Sequence, residues 1–230
     1  MKIISRYLRP EDIPALLVLE RAKWESHQAA DAASLMLRIE TFPQLCIGSF
    51  CADSGRALAS LFMRPVSAQA FVAPTRWENA ADVRLHHGAP DAGDALFGIS
   101  LSSLDSKAVT QIFRFFHPRA LKAGWRDIYL GSPIPGFRKA RAQNPGLQVW
   151  QYAHARRGLR VNEPLDPQLR YYFRKGFKDI VSIQENYFPH EDSLNYGVIV
   201  RGSIPLSAPK QLWRHTPICI LQTFSLLALR

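Results

Sequence analysis

Ala95-Leu96-Phe97-Gly98-Ile99-Ser100-Leu101-Ser102 is the stretch on which the fold turns. It carries no charge and no proline, and its apolar run has the length and composition of a buried strand. The period then changes. Val109, Ile112, Phe113, Phe116 and Ala120 recur at three- and four-residue steps, which predicts an amphipathic helix, kinked at Pro118 where a backbone donor is missing. After Gly124, Asp127-Ile128-Tyr129-Leu130 is a second strand. A strand, helix, strand succession of this length makes a right-handed crossover between parallel neighbours.

Outward from this unit, the N-terminal side predicts a strand at Ile3 to Tyr7, a helix opened by Pro10-Glu11-Asp12, and a second helix stopped by Phe42-Pro43. Two strands follow, Leu45 to Cys51 and Ala57 to Met63, turning at Ala52-Asp53-Ser54-Gly55. Pro65 to Gly93 is rich in turn residues and reads as a long loop with one short helix near Arg76 to Ala81. On the C-terminal side, Gly131 to Phe137 is too rich in proline and glycine for regular structure. A helix is expected from Val149 to Arg157 and another from Asp166 to Lys175, stopped by Gly176. Strands near Asp179 to Glu185 and Tyr196 to Arg201 close the domain. The expected architecture is α/β: a mixed sheet of about six or seven strands with helices on both faces.

Composition narrows the partners. Residues 1–100 hold 10 Lys and Arg against 11 Asp and Glu, whereas residues 101–230 hold 19 against 8, so the net charge of +10 lies in the second part. That asymmetry points to an acidic partner. Cys46, Cys51 and Cys219 form no C-x-x-C pair and the histidines have no helical ligand spacing, so no metal is expected. Met1 to Arg6 becomes polar too soon for a secretory segment, and an odd cysteine count suits a reducing compartment, so the expected location is the cytoplasm. The apolar run after Pro217, about 13 residues, is shorter than the ~20 needed to cross a bilayer. Residues 204–230 are therefore expected to pack on the core or pair with a second copy in a homodimer, and a membrane is not expected as the partner.

The segment Arg170-Tyr171-Tyr172-Phe173-Arg174-Lys175-Gly176-Phe177-Lys178, set after the strand, helix, strand unit, resembles the late helix and Gly-Phe step of the GNAT (GCN5-related N-acetyltransferase) superfamily. Leu130 to Phe137, together with Asn186 to Gly197, further resembles a GNAT subgroup fused to carbon-nitrogen hydrolases. The resemblance covers roughly residues 3–203 and implies an acyltransferase domain there. It implies that a phosphopantetheine thioester pairs with Ile99, Ser100 and Leu101, and that Tyr172 protonates the departing thiolate. In the same helix Tyr171, Tyr172 and Phe173 also serve to pack on the sheet, and Asp166 with Pro167 reads as the helix cap.

One departure bears on the donor. Where the family has a glycine-rich pyrophosphate loop, this chain has Ser102-Ser103-Leu104-Asp105-Ser106-Lys107-Ala108, with no glycine to turn successive amides inward. Three readings stay open: an acyl carrier protein as donor, coenzyme A held by Lys107 and the hydroxyls of Ser102, Ser103 and Ser106, or a binding module without catalysis. No tightly bound cofactor is expected, and the acceptor is expected to be a small-molecule amine in specialised metabolite biosynthesis. Candidate bases are Glu40, Asp192 and Glu191, with His86-His87 on the long loop as a further pair. Arg138, Lys139, Arg141 and Arg174 belong to a basic tract, with Arg156, Arg157, Arg160, Arg170 and Lys175, that would dock an acidic carrier protein. Trp150 and Tyr152 within it would suit single-stranded nucleic acid, but no nucleic-acid module surrounds them, so nucleic acid is not expected.

Overall fold

The computed structural model describes residues 1–24, 29–84, 95–158 and 162–228. His86, His87 and Arg160 lie outside them. The strands are β1 (Ile3–Tyr7), β2 (Cys46–Cys51), β3 (Ala57–Val66), β4 (Ala95–Ser103), β5 (Asp127–Ser132), β6 (Phe177–Gln184) and β7 (Gly197–Ser203). They form one seven-stranded sheet in the order β1-β2-β3-β4-β5-β7-β6. Only the β4–β5 pair is parallel. The sheet is mixed, as the sequence predicts.

Helices cover both faces. α1 (Ile13–Lys23) and α2 (Ala32–Thr41) cover one face with the segment after β3, burying Leu16, Leu19, Leu35 and Ile39 against Phe62, Phe97 and Ile99. That segment includes α3 (Trp77–Ala81) and is more than a loop: Phe71 is 1% exposed and stacks on Tyr129 at 5.2 Å. The other face carries α4 (Ser106–Ala123) over β1–β4, and α5 (Phe137–Gln143), α6 (Val149–His154) and α7 (Pro167–Arg174) over β5–β7. Residues 133–136 are irregular as expected, β5 having run on through Gly131 and Ser132, and α5 then begins at Phe137, where the sequence predicts no helix. Its residue Phe137 is buried against Tyr152 and Tyr196, and this packing supplies what local propensity lacks.

α4 is capped at its start by the Asp105 carboxylate, which accepts from the Lys107 amide, and ends at Gly124 in the left-handed region (φ 82°). It continues through Pro118, which lies on the buried side. The C-terminal segment folds back as α8 (Lys210–His215) and α9 (Ile218–Ala228) onto α4, with Leu221 fully buried. His117 of α4 ties it down: Nδ1 lies 2.7 Å from Ser225 Oγ and Nε2 2.9 Å from the Pro205 carbonyl. No helix among the described residues is long and apolar enough to cross a membrane.

Candidate active site

The parallel pair is joined over four residues only. Ala95 to Gly98 pair with Asp127 to Leu130. Past that point Gly131 and Ser132 pair with Ile199 and Val198 of β7, while Ser100 to Ser103 pair with β3. The two strands therefore part after Gly98 and Leu130. A bulge marks the place: Phe62 faces Ser100 and Met63 faces Gly98, so Ile99 is an extra residue on β4. A bulge leaves one residue out of the ladder and bends the strand, which is how sheets open beside sites. Leu130 leans across Gly98, whose missing Cβ gives its side chain room.

Register sorts the expected donor-binding residues. Ile99, Ser100 and Ser102 face α1 and α2, while Leu101 and Ser103 face α4. The β4 edge from Ile99 to Leu101 has no strand partner on the β5 side, so its backbone groups are available to an extended amide-bearing chain such as pantetheine. Ser106 and Lys107 are exposed at the start of α4.

The turn between β4 and α4 is only Leu104 and Asp105. Several amides at this turn and at the start of α4 are already used. Asp105 accepts from the Lys107 amide at 2.7 Å, Ser103 Oγ accepts from the Asp105 amide at 3.1 Å, and the Ala108 and Val109 amides go to the Asp105 carbonyl. A carboxylate thus sits where a diphosphate would need positive potential and open amides. The unpaired β4 edge offers backbone groups to a pantetheine arm, whereas the Asp105 carboxylate at this turn opposes the diphosphate of coenzyme A.

Two polar assemblies were not foreseen from the sequence. On the α1–α2 face, Glu20 is 2% exposed, accepts the Ser102 hydroxyl at 2.5 Å and the Ala30 amide at 3.2 Å, while Trp24 Nε1 donates to Ser102 Oγ at 2.7 Å. This binds the end of β4 to α1 and to the residues entering α2. The available signal was Glu20 itself, an acid seven residues after Ile13 on the apolar stripe of α1. The second assembly centres on Asp166, which is fully buried. One carboxylate oxygen caps α7 through the Gln168 and Leu169 amides at 2.9 and 3.1 Å. The other accepts from Gly136 N at 3.1 Å and Tyr152 Oη at 3.0 Å, so the expected cap also clamps the loop after β5.

Tyr172 lies in α7, half-buried in the apolar cluster that contains Leu130, with Phe177 packed edge-on at 6.0 Å. Burial raises the pKa of its hydroxyl and a hydrogen bond with Gln168 partly offsets this, so it is protonated at neutral pH. Among the described residues no hydrogen bond or ion pair joins Tyr172 to Glu40, Glu191 or Asp192. Glu40 is exposed at the end of α2, and its side chain has no hydrogen bond or ion pair among the described residues. Glu191 and Asp192 are exposed and lie against Arg138, with the Asp192 oxygen at 4.0 Å. Of the expected docking cations, Arg138 is thereby engaged and Arg174 is paired with Glu163 at 2.8 Å, while Lys139 and Arg141 are exposed on α5. A separate cleft of about 340 Å³, between α2, β3 and α4 and lined by Tyr7, Phe42, Pro65, Phe116 and Trp125, lies at the opposite end of β4 from the opening. No group of His, Cys, Asp and Glu among the described residues could hold a metal ion.

Neither a family model nor a curated protein sequence matches this chain. Solved structures do. A GNAT-like decarboxylase, GphF, in complex with isobutyryl-CoA is 24% identical over 87% of this chain and 99% of its own, with a TM-score of 0.66. The loading GNATL domain of CurA from Lyngbya majuscula is 16% identical over 89% and 98%, with a TM-score of 0.69. The ribosomal-protein-S18-alanine N-acetyltransferase from Escherichia coli is 11% identical over 88% and 94%, with a TM-score of 0.50. With its mixed seven-stranded sheet, its parting β4 and β5 and these likenesses along most of its length, the chain has the GNAT fold.

Proposed function

We propose that this chain is an acyltransferase that takes an acyl group from a phosphopantetheine thioester and passes it to an amine in the biosynthesis of a specialised metabolite. The observation that carries the reading is the parting of β4 and β5 after Gly98 and Leu130, which leaves one strand edge free for the pantetheine arm. Tyr172 supplies a proton to the departing sulfur, since a phenol of raised pKa is a donor at neutral pH. An acyl carrier protein is the donor rather than free coenzyme A. The arm of a carrier holds one phosphodiester and no adenosine diphosphate, which suits a turn where Asp105 and Ser103 occupy the amides of Lys107 and Asp105. Lys139 and Arg141, joined by Arg138 and Arg174 at the cost of their ion pairs, form the face for an acidic carrier.

A second reading keeps the same site and changes the reaction: loss of carbon dioxide from a carboxylated acyl group while it stays on the thioester. It is favoured by the TM-score of 0.66 to GphF, a GNAT-like decarboxylase, against 0.50 to the S18-alanine acetyltransferase. One experiment separates the readings. Carrier protein loaded with saturated or carboxylated acyl groups is incubated with the chain, with and without candidate amines, and followed by intact mass. Loss of the whole acyl group only with amine present supports transfer, and loss of carbon dioxide with retention of the remainder supports decarboxylation. An unchanged carrier in every mixture rejects both and leaves a binding module.

A further inference from the structure

Four buried side-chain atoms among the described residues have no hydrogen-bond partner: Ser60 Oγ, Ser100 Oγ, Arg156 Nη1 and Tyr187 Oη. Ser60 is on β3 and Arg156 follows α6, and neither borders the opening between β4 and β5. The other two do. Ser100 is two residues past Gly98, the last β4 residue paired with β5, and its pairing with Phe62 turns its side chain to the α1–α2 face. Tyr187 is on the other lip. Its hydroxyl and ring edge occupy the space that a Cβ on Gly131 would need, and Gly131 is the first β5 residue past the last pair. The ring continues over Gly197 at the head of β7 and packs in the cluster that holds Ile99 and Ile199. Both hydroxyls are therefore on one face of the sheet, one on each side of the opening.

Much of the local structure serves to hold this phenol. Gly131 and Gly197 are the two positions where a side chain would displace it. The segment that carries it has Asn186, Leu194 and Asn195 in the left-handed region, at φ 50°, 50° and 62°, and for leucine that conformation is costly. Backbone bonds from Tyr187 N to Asn195 O (2.9 Å) and from Trp77 N to Tyr187 O (2.7 Å) fix its main chain. A phenylalanine would pack the same ring without burying an unpaired hydroxyl, which is the expensive way to fill a core. A buried donor retained at such a place points to an acceptor that arrives with the ligand.

We propose that Ser100 and Tyr187 donate a pair of hydrogen bonds to the carbonyl oxygen of the acyl thioester seated between β4 and β5, holding the negative charge that this oxygen gains during reaction. The inference rests on the reading of the opening as an acyl-thioester site. It applies to transfer, where the oxygen becomes a tetrahedral oxyanion, and to decarboxylation, where it becomes an enolate. Burial raises the Tyr187 hydroxyl far above the ordinary tyrosine pKa, so it remains a neutral donor. The two tyrosines then divide the work across the sheet: Tyr187 serves the oxygen from the α1–α2 face, and Tyr172 serves the sulfur from the α7 face.

The test uses the full chain with acyl-loaded carrier protein. Tyr187→Phe and Ser100→Ala should each lower kcat about 10²-fold, the loss expected for one donor of an oxyanion site. Thermal midpoints should stay level or rise, because each change removes an unpaired buried hydroxyl. A second measurement does not need turnover. The carbonyl infrared band of a bound, unreactive amide analogue of the acyl-pantetheine thioester, isotope-labelled at its carbonyl carbon, should lie below that of the free analogue and move back in either variant. Wild-type turnover with an unmoved band in both variants overturns the assignment and makes the two hydroxyls core packing bridged by water. A band that responds in a chain without turnover supports the hydrogen bonds and rejects the reaction proposed above. Failure of the analogue to bind the wild-type chain rejects both.

Discussion

Replacing Asp166 with alanine tests how the late helix is held over the sheet. The buried carboxylate accepts four hydrogen bonds: two from the first turn of α7, one from Gly136 and one from Tyr152. Loss of the cap costs about 1 kcal/mol. The Gly136 amide and the Tyr152 hydroxyl are then left without their acceptor, at roughly 1–3 kcal/mol each where water cannot replace it. Allowing for non-additivity, Asp166→Ala should cost about 3–5 kcal/mol, which lowers the thermal midpoint of a chain this size by about 10 °C. Urea unfolding of Asp166→Ala, Tyr152→Phe and the double variant is the assay. The cycle should show a coupling of roughly 1–2 kcal/mol between the two residues, since in the double variant no phenol is stranded. A loss below about 1 kcal/mol, or no coupling, would show that α7 is held by its apolar face alone, and the clamp would be wrong.

Three further outcomes are expected. Tyr172→Phe should lower turnover about 10²–10⁴-fold with an unchanged thermal midpoint, and equal kcat would remove the residue from the reaction. Asp105→Gly should raise the affinity for free coenzyme A about tenfold relative to pantetheine, measured by competition, because removing one nearby carboxylate from a diphosphate at an exposed turn is worth ~1 kcal/mol or slightly more. His117 should make stability pH-dependent. Burial lowers its pKa and the Pro205 carbonyl only partly opposes this, so the unfolded chain takes up a proton first as pH falls. The stabilisation is complete above an unfolded pKa near ~6.5 and is lost below it, by up to about 1.4 kcal/mol per pH unit. Midpoints measured across that range should fall on the acid side, and His117→Gln should flatten the slope.

The elements were largely legible because their signals are local. Periodicity places β4, α4 and β5, proline and glycine bound α2 and α7, and a single mixed sheet follows from the one parallel crossover. The glycine-free turn after β4 already disfavoured a diphosphate cradle, and the structure adds that Asp105 and Ser103 occupy the amides of Lys107 and Asp105. α5 was illegible: its helical state depends on Phe137 meeting Tyr152 and Tyr196 from elsewhere in the chain.

The candidate site divides along the same line. Tyr172 is named through the family resemblance, from its place in α7 four residues before Gly176, a local relation that survives in a linear string. Ser100 is expected at the site only through its backbone and Tyr187 not at all; 87 positions apart, they reach opposite sides of one opening only because β5 and β7 lie side by side and the bulge at Ile99 opens β4 beside them. A hydroxyl's lack of a partner is likewise a property of everything around it. Chain order dictates which residues may form strands and helices; burial, register and the satisfaction of polar atoms arise only when distant segments share a core.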